Sequence, residues 1–66
     1  MPLVRIDLWK GVTTVEQKRK LVKGITDTVS DTIDCPKEAV HIIISEQPKE
    51  NWGVGGVLSS DKFPER

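Results

Sequence analysis

Proline at position 2, directly ahead of a run of strand-forming residues, has the most unusual chemical prospect in this chain. Cleavage after Met1, which a small second residue favours, would turn its ring nitrogen into a secondary amine. Ordinary α-amino groups titrate at about 7.7 to 8.0, and an apolar pocket or nearby cations lower that value by disfavouring the ammonium form. A base poised near the working pH is what proton abstraction beside a carbonyl requires. Pro2 is therefore the candidate general base and acid.

The rest of the chemical inventory is thin. There is one histidine, His41, and one cysteine, Cys35, and no HExxH, GxSxG or P-loop pattern. One cysteine forms no intrachain disulfide, and one cysteine with one histidine does not make a structural zinc site. Neither a metal nor another cofactor is expected. Ten basic and ten acidic residues give a formal net charge of zero and are interspersed along the chain, which argues against nucleic-acid binding. Lys18, Arg19, Lys20 and Lys23 form a local basic stripe, but Glu16 and Asp27 flank it, as on an ordinary solvated helix face. The amino terminus has neither a basic n-region nor a seven-residue apolar run, and no stretch approaches the roughly 18 apolar residues of a membrane span. A soluble, cytoplasmic protein that engages no membrane is expected.

The elements that position these residues follow from periodicity. In LVRIDLW, residues 3–9, Val4, Ile6 and Leu8 point one way while Leu3, Arg5, Asp7 and Trp9 point the other, the period of a strand. Leu3 and Trp9 are costly to leave in water, so that mixed face is expected to meet another subunit or line a pocket. Gly11 breaks the strand. Thr13 with Glu16, or Thr14 with Gln17, then offers capping-box spacing for a helix. Val15, Leu21, Val22, Ile25, Val29 and Ile33 recur at threes and fours, predicting a helix over 15–33 with an apolar stripe about 28 Å long. Asp34-Cys35-Pro36 ends it, because proline disfavours helical geometry in the residue before it and donates no amide. The β-branched run AVHIIIS, 39–45, reads as an inner strand covered on both faces, giving a right-handed βαβ unit with parallel strands. QPKENWGVGG, 47–56, is rich in turn formers and predicts a short hairpin. The remainder, 58–66, has little periodicity and is expected to be a tail that is disordered or ordered only by a neighbouring subunit.

All of this makes one domain over 1–66. A chain of this length buries only about 60% of its unfolded surface, so its core is marginal. Ordering it costs on the order of 100 kcal/mol at roughly 1.5 kcal/mol per residue, and with no disulfide or metal available the remaining support is oligomerisation.

In order and spacing the whole chain resembles the 4-oxalocrotonate tautomerase family. The resemblance rests on Met-Pro ahead of a hydrophobic strand, Gly11 before the helix, Glu16-Gln17-Lys18 in its first turn, Asp34 with Pro36 after it, Val40 with the isoleucine run, and Trp52-Gly53-Val54-Gly55-Gly56. It implies an α/β fold, a β-α-β subunit with a C-terminal hairpin, paired into dimers of which three commonly make a hexamer. It also implies an isomerase in which the nitrogen of Pro2 moves a proton between the oxygen of a dienol and a substrate carbon, giving the conjugated ketone. The substrate so implied is a small 2-hydroxydienoate or related 2-oxo acid.

Trp52 matches the family's aromatic residue that keeps the proline pocket apolar. The family's arginine directly after the glycine is Val12 here, with one extra residue before Glu-Gln-Lys, and its second-strand arginine is His41. Valine has no donors and histidine is a weaker, pH-dependent cation, so a smaller monoacid enol or a different carbonyl compound is expected in place of a diacid. His41 is the candidate to orient the anionic substrate. Arg5, on the outward face with Trp9, is a second substrate-binding candidate if a partner subunit brings it to the site, and an interface or surface ion pair otherwise. Lys10 or a residue of a neighbouring subunit are the other candidates to replace the arginines. The competing reading is an oligomeric binding module that keeps the fold without the catalysis.

Overall fold

The computed structural model describes residues 1–64. Strand β1, Leu3–Trp9, leads into helix α1, Val15–Ile33, and returns as strand β2, His41–Gln47. The two strands pair in parallel from Leu3 with His41 to Trp9 with Gln47. A two-residue antiparallel hairpin follows, β3 Gly53–Val54 and β4 Val57–Leu58, and then a one-turn helix α2, Ser59–Lys62.

Helix α1 occupies the expected span, and of the two possible capping boxes the chain uses the second. Gln17 N–H donates to Thr14 Oγ1 at 3.1 Å and Thr14 N–H to Gln17 Oε1 at 2.9 Å, so two of the helix's orphan donors are satisfied. At the far end Asp34 turns left-handed (φ 56°), and its N–H closes on the Ser30 carbonyl. Pro36 then begins a 3₁₀ turn over Lys37–Ala39, so β2 starts at His41 and not at Ala39. The pairing reaches one residue beyond the ladder at the start, where His41 N–H donates to the Pro2 carbonyl at 3.0 Å.

Lys18 Nζ on α1 meets Glu46 Oε1 on β2 at 2.8 Å, which identifies the side of the sheet that the helix covers. By alternation that side carries Val4, Ile6 and Leu8 with Ile42 and Ile44. The opposite face carries Leu3, Arg5, Asp7 and Trp9 beside His41, Ile43, Ser45 and Gln47, and Gln47 Nε2 donates to Asp7 Oδ1 across it at 3.2 Å.

The β2 strand was expected to be covered on both faces, yet within one chain its outer face is open and Ile43 is 42% exposed. No apolar residue among those described is fully buried, and on α1 Ile25 and Val29 are half-buried while Val15, Leu21, Val22 and Ile33 are exposed. The chain exposes 4949 Å². A folded monomer of its mass, 7.4 kDa, exposes about 4,200 Å². The excess accompanies the absence of a buried apolar core among the described residues and exposed apolar side chains such as Leu3, Val15, Ile33 and Ile43.

The expected tail is more ordered than its sequence suggests. Ser59 N–H donates to the Trp52 carbonyl at 2.7 Å, and the α2 turn, closed by Phe63 N–H on the Ser59 carbonyl, sets the Phe63 ring 5.4 Å from that of Trp9. Residues 59–63 therefore form a turn that makes contacts with Trp9 and Trp52 within the chain. Glu65 and Arg66, the end of that expected tail, lie outside the described residues.

Candidate active site

Pro2 sits at the head of the parallel pair, half-buried, with its carbonyl held by His41 N–H and with Met1 ahead of it 91% exposed. The hydrogen bond fixes the proline backbone and leaves the ring nitrogen out of the ladder. An exposed Met1 is open to removal, after which the nitrogen is a free amine on a rigid strand end.

His41 is exposed on the outer sheet face, opposite Leu3 in register. Arg5, also exposed on that face, is its diagonal neighbour. With strands about 4.8 Å apart and two residues of about 3.3 Å rise, their Cα atoms lie roughly 8 Å apart. A small anion seated between them would touch both. Leu3, 48% exposed, neighbours both, opposite His41 in register and two residues before Arg5 on the same face, and adds an apolar surface beside them. The register therefore brings three of the four sequence-derived candidates to one end of the sheet, His41 and Arg5 on its outer face and Pro2, one position before Leu3, on the alternate parity.

Trp52 lies elsewhere. Its ring meets that of Trp9 edge-on, with centroids 6.0 Å apart and planes at 79°. Trp9 ends the strand that Pro2 begins, seven residue steps away, about 23 Å at strand rise. Within a single chain the aromatic wall and the proline are at opposite ends of the sheet.

The Trp52 end has its own composition. Trp9, Trp52 and Phe63 cluster there, and Lys49 Nζ lies 5.0 Å from the Trp9 ring centroid while donating to the Phe63 carbonyl at 2.6 Å. Both the Trp9 indole nitrogen and the Ser59 hydroxyl are buried without a partner among the described residues. The sequence signals for this cluster were faint. Trp9 was visible as an apolar residue on a mixed face, but Lys49 lay in a run of turn formers and Phe63 in an aperiodic tail.

The substitutes for the missing arginines are distributed unevenly. Val12 is half-buried and Lys10 exposed, the latter's N–H tied to the Gln47 carbonyl at 2.8 Å. Lys18 is committed to Glu46, whose carboxyl is held below its usual range by that hydrogen bond and charge, with Gly11 N–H and Lys10 contributing. Along α1 an open groove of about 620 Å³ runs over Val15, Lys18, Val22 and Thr26. Its cations are already paired: Arg19 with Glu16, and Lys23 and Lys37 with Asp27, which they hold in its ionised form. The charged side chains that line the groove are paired with one another or with Glu16 and Glu46, and Pro2 is not among its lining residues. Among the described residues no helix is long and apolar enough to cross a membrane.

Comparison with known proteins places this geometry. The sequence pattern described as tautomerase enzyme matches residues 2–62. A protein of Lactiplantibacillus plantarum named "Probable tautomerase" is 48% identical over 65 residues, covering 98% of this chain and all of that one. Among solved structures, a 4-oxalocrotonate tautomerase isozyme from Methylibium petroleiphilum is 39% identical, with TM-score 0.86 over 94% of this chain and 98% of its own. A heterohexamer 4-oxalocrotonate tautomerase from Chloroflexus aurantiacus is 33% identical, with TM-score 0.85 over 92% of this chain and 97% of its own.

Proposed function

This chain belongs to the tautomerase family, and from that premise we propose that it is a cofactor-independent keto-enol isomerase of small 2-oxo acids, working through the nitrogen of Pro2 as a cytoplasmic homo-oligomer. The Pro2 nitrogen, freed of Met1, takes the enol O–H proton of a 2-hydroxydienoate. The oxygen electrons close the carbonyl, the conjugated system delivers its electron pair to a distal carbon, and the pyrrolidinium returns the proton there. Composition and oxidation state are unchanged, so no redox partner is needed. His41 and Arg5 hold the carboxylate beside Leu3, a small cationic patch suited to one carboxylate.

The observation that carries the reading is the roughly 23 Å between Pro2 and the Trp52 cluster in one chain. An amine is kept basic but neutral near pH 7 when its surroundings are apolar, and the Pro2 end alone is open to water. A second subunit that lays its Trp52 end over the Pro2 end supplies that environment. The same docking covers exposed apolar side chains such as Leu3 and Ile43. Oligomer and active site are then formed by one event, and the hexameric arrangement of a relative is the natural candidate.

The test is ultraviolet ketonisation of a monocarboxylate and a dicarboxylate 2-hydroxydienoate by protein whose intact mass shows Met1 removed. Pro2→Ala is expected to lower turnover by about 10²- to 10⁴-fold, the usual worth of a positioned general base. The wild type is expected to prefer the monoacid. Equal turnover by wild type and variant, or none by either, would sink the proline mechanism and leave the non-catalytic binding module.

A further inference from the structure

We propose that Lys49 is a substrate-binding residue, carried with Trp52 into the neighbouring subunit's Pro2 site, where its ammonium holds the substrate carboxylate. The inference rests on the reading that Trp52 completes a site across a subunit boundary, and it adds the residue that does the work of an absent arginine.

Two observations single Lys49 out. The first is its charge state among its peers. Four of the described lysines and arginines are in ion pairs, Lys18, Arg19, Lys23 and Lys37. Of the others, Arg5, Lys10, Lys20 and Lys62 are exposed, and Lys49 alone is half-buried. A half-buried ammonium with no carboxylate partner among the described residues is costly unless something anionic meets it.

The second is that Lys49 is held in place. Trp52 N–H donates to the Lys49 carbonyl at 3.2 Å, so the two residues share one 3₁₀ turn. Its Nζ is fixed between the Trp9 ring, 5.0 Å to the centroid, and the Phe63 carbonyl at 2.6 Å. An ammonium has three donor directions. One goes to Phe63 and one lies over the π face, which leaves the third for a ligand beside the two tryptophans. Any surface that receives Trp52 therefore receives an ordered, positively charged donor next to an apolar wall. A single ammonium is a point charge that suits one carboxylate, whereas a guanidinium fork is built for bidentate pairing. The arrangement fits a planar conjugated monoacid, with its hydrocarbon on the indoles and its one carboxylate shared between Lys49 and the His41 and Arg5 side chains of the receiving subunit.

The experiment uses the assembled, Met-free protein with Lys49→Gln, which keeps an N–H donor for the Phe63 carbonyl and removes the charge, and Lys49→Arg, which restores it. The substrates are a monocarboxylate 2-hydroxydienoate and its methyl ester, and binding of the saturated acid 2-oxopentanoate, which has no dienol to ketonise, is measured by calorimetry. Lys49→Gln is expected to raise KM for the acid by about 10- to 100-fold, the range for one lost charge-assisted hydrogen bond. KM for the ester and kcat for both are expected to stay within about threefold, and Lys49→Arg to recover most of the loss. If the acid's KM is unchanged, or acid and ester weaken together, Lys49 is a structural pin for Phe63 and the inference is overturned. The binding arm separates this from failure of the proline mechanism. Should the wild type not turn over any enol, weaker 2-oxopentanoate binding by Lys49→Gln still upholds the Lys49 site, and unchanged binding removes it.

Discussion

If Pro2 and Trp52 serve one active site from different subunits, then two inactive variants must rescue each other. Pro2→Ala replaces the ring-held secondary amine by an unconstrained primary amine and so impairs the positioned base. Trp52→Ala opens the apolar wall and lets water reach the amine, and each pKa unit by which Pro2 then rises costs about tenfold in free base at a pH below it. Each variant alone is expected to form an oligomer with all sites damaged. Co-refolding an equal mixture distributes the chains at random among equivalent positions. A site that draws Pro2 from one chain and Trp52 from another then finds both intact with probability about one half times one half, so about a quarter of sites recover wild-type turnover. The separation within one chain, about 23 Å of strand between Pro2 and Trp9, is too long for any rotamer change to make the site intramolecular. The assay is the ultraviolet ketonisation rate of the refolded mixture against each variant refolded alone, with mass spectrometry showing mixed oligomers. Recovery near one quarter supports the shared site. Mixed oligomers with no activity above the separate variants would refute it, because an intramolecular site never finds both residues intact on one chain.

Two further outcomes follow from the same geometry. His41→Arg puts a bidentate fork beside Arg5, and kcat/KM for the dicarboxylate relative to the monocarboxylate is expected to rise by about tenfold or more; an unchanged ratio would remove His41 from the carboxylate site. Lys18 holds the Glu46 carboxyl below its ordinary value of 4.5, so this pair contributes stability above that value and loses it as pH falls through the lower folded-state one. Thermal melts at fixed protein concentration from pH 7 down to pH 3 should therefore fall less steeply for Glu46→Gln than for the wild type, and parallel curves would show that the ion pair does not contribute.

What was legible in the sequence was what is local. Helix α1 could be read from Val15 to Ile33 because its stripe, its start and its Asp34-Cys35-Pro36 stop all lie within the segment itself. Even there the choice between Thr13 and Thr14 as cap was open, since both have a partner three residues on, and backbone geometry at Thr14 decided it. Strand β2 was placed two residues early because Ala39 and Val40 look like strand, while Pro36 had already committed Lys37–Ala39 to a 3₁₀ turn. Pro2, His41 and Arg5 were accessible because parallel register joins the ends of two strands that periodicity had already found.

The Trp52 end was not legible, and the reason is physical. Its contacts link residue 9 to residues 49, 52 and 63 through side-chain packing that leaves no period in the chain. Resemblance supplied a role for Trp52 but no position for it, and the position changes what the role means. A tryptophan within reach of its own Pro2 would tune that proline's basicity within each chain. Under the proposed function, a tryptophan at the other end of the sheet would tie basicity to assembly, so that loss of subunit contacts and loss of a working base would be the same event. Dilution below the oligomer's dissociation range should then abolish turnover in step with dissociation. Activity that persists in separated subunits would show that Pro2 needs no neighbour to stay basic.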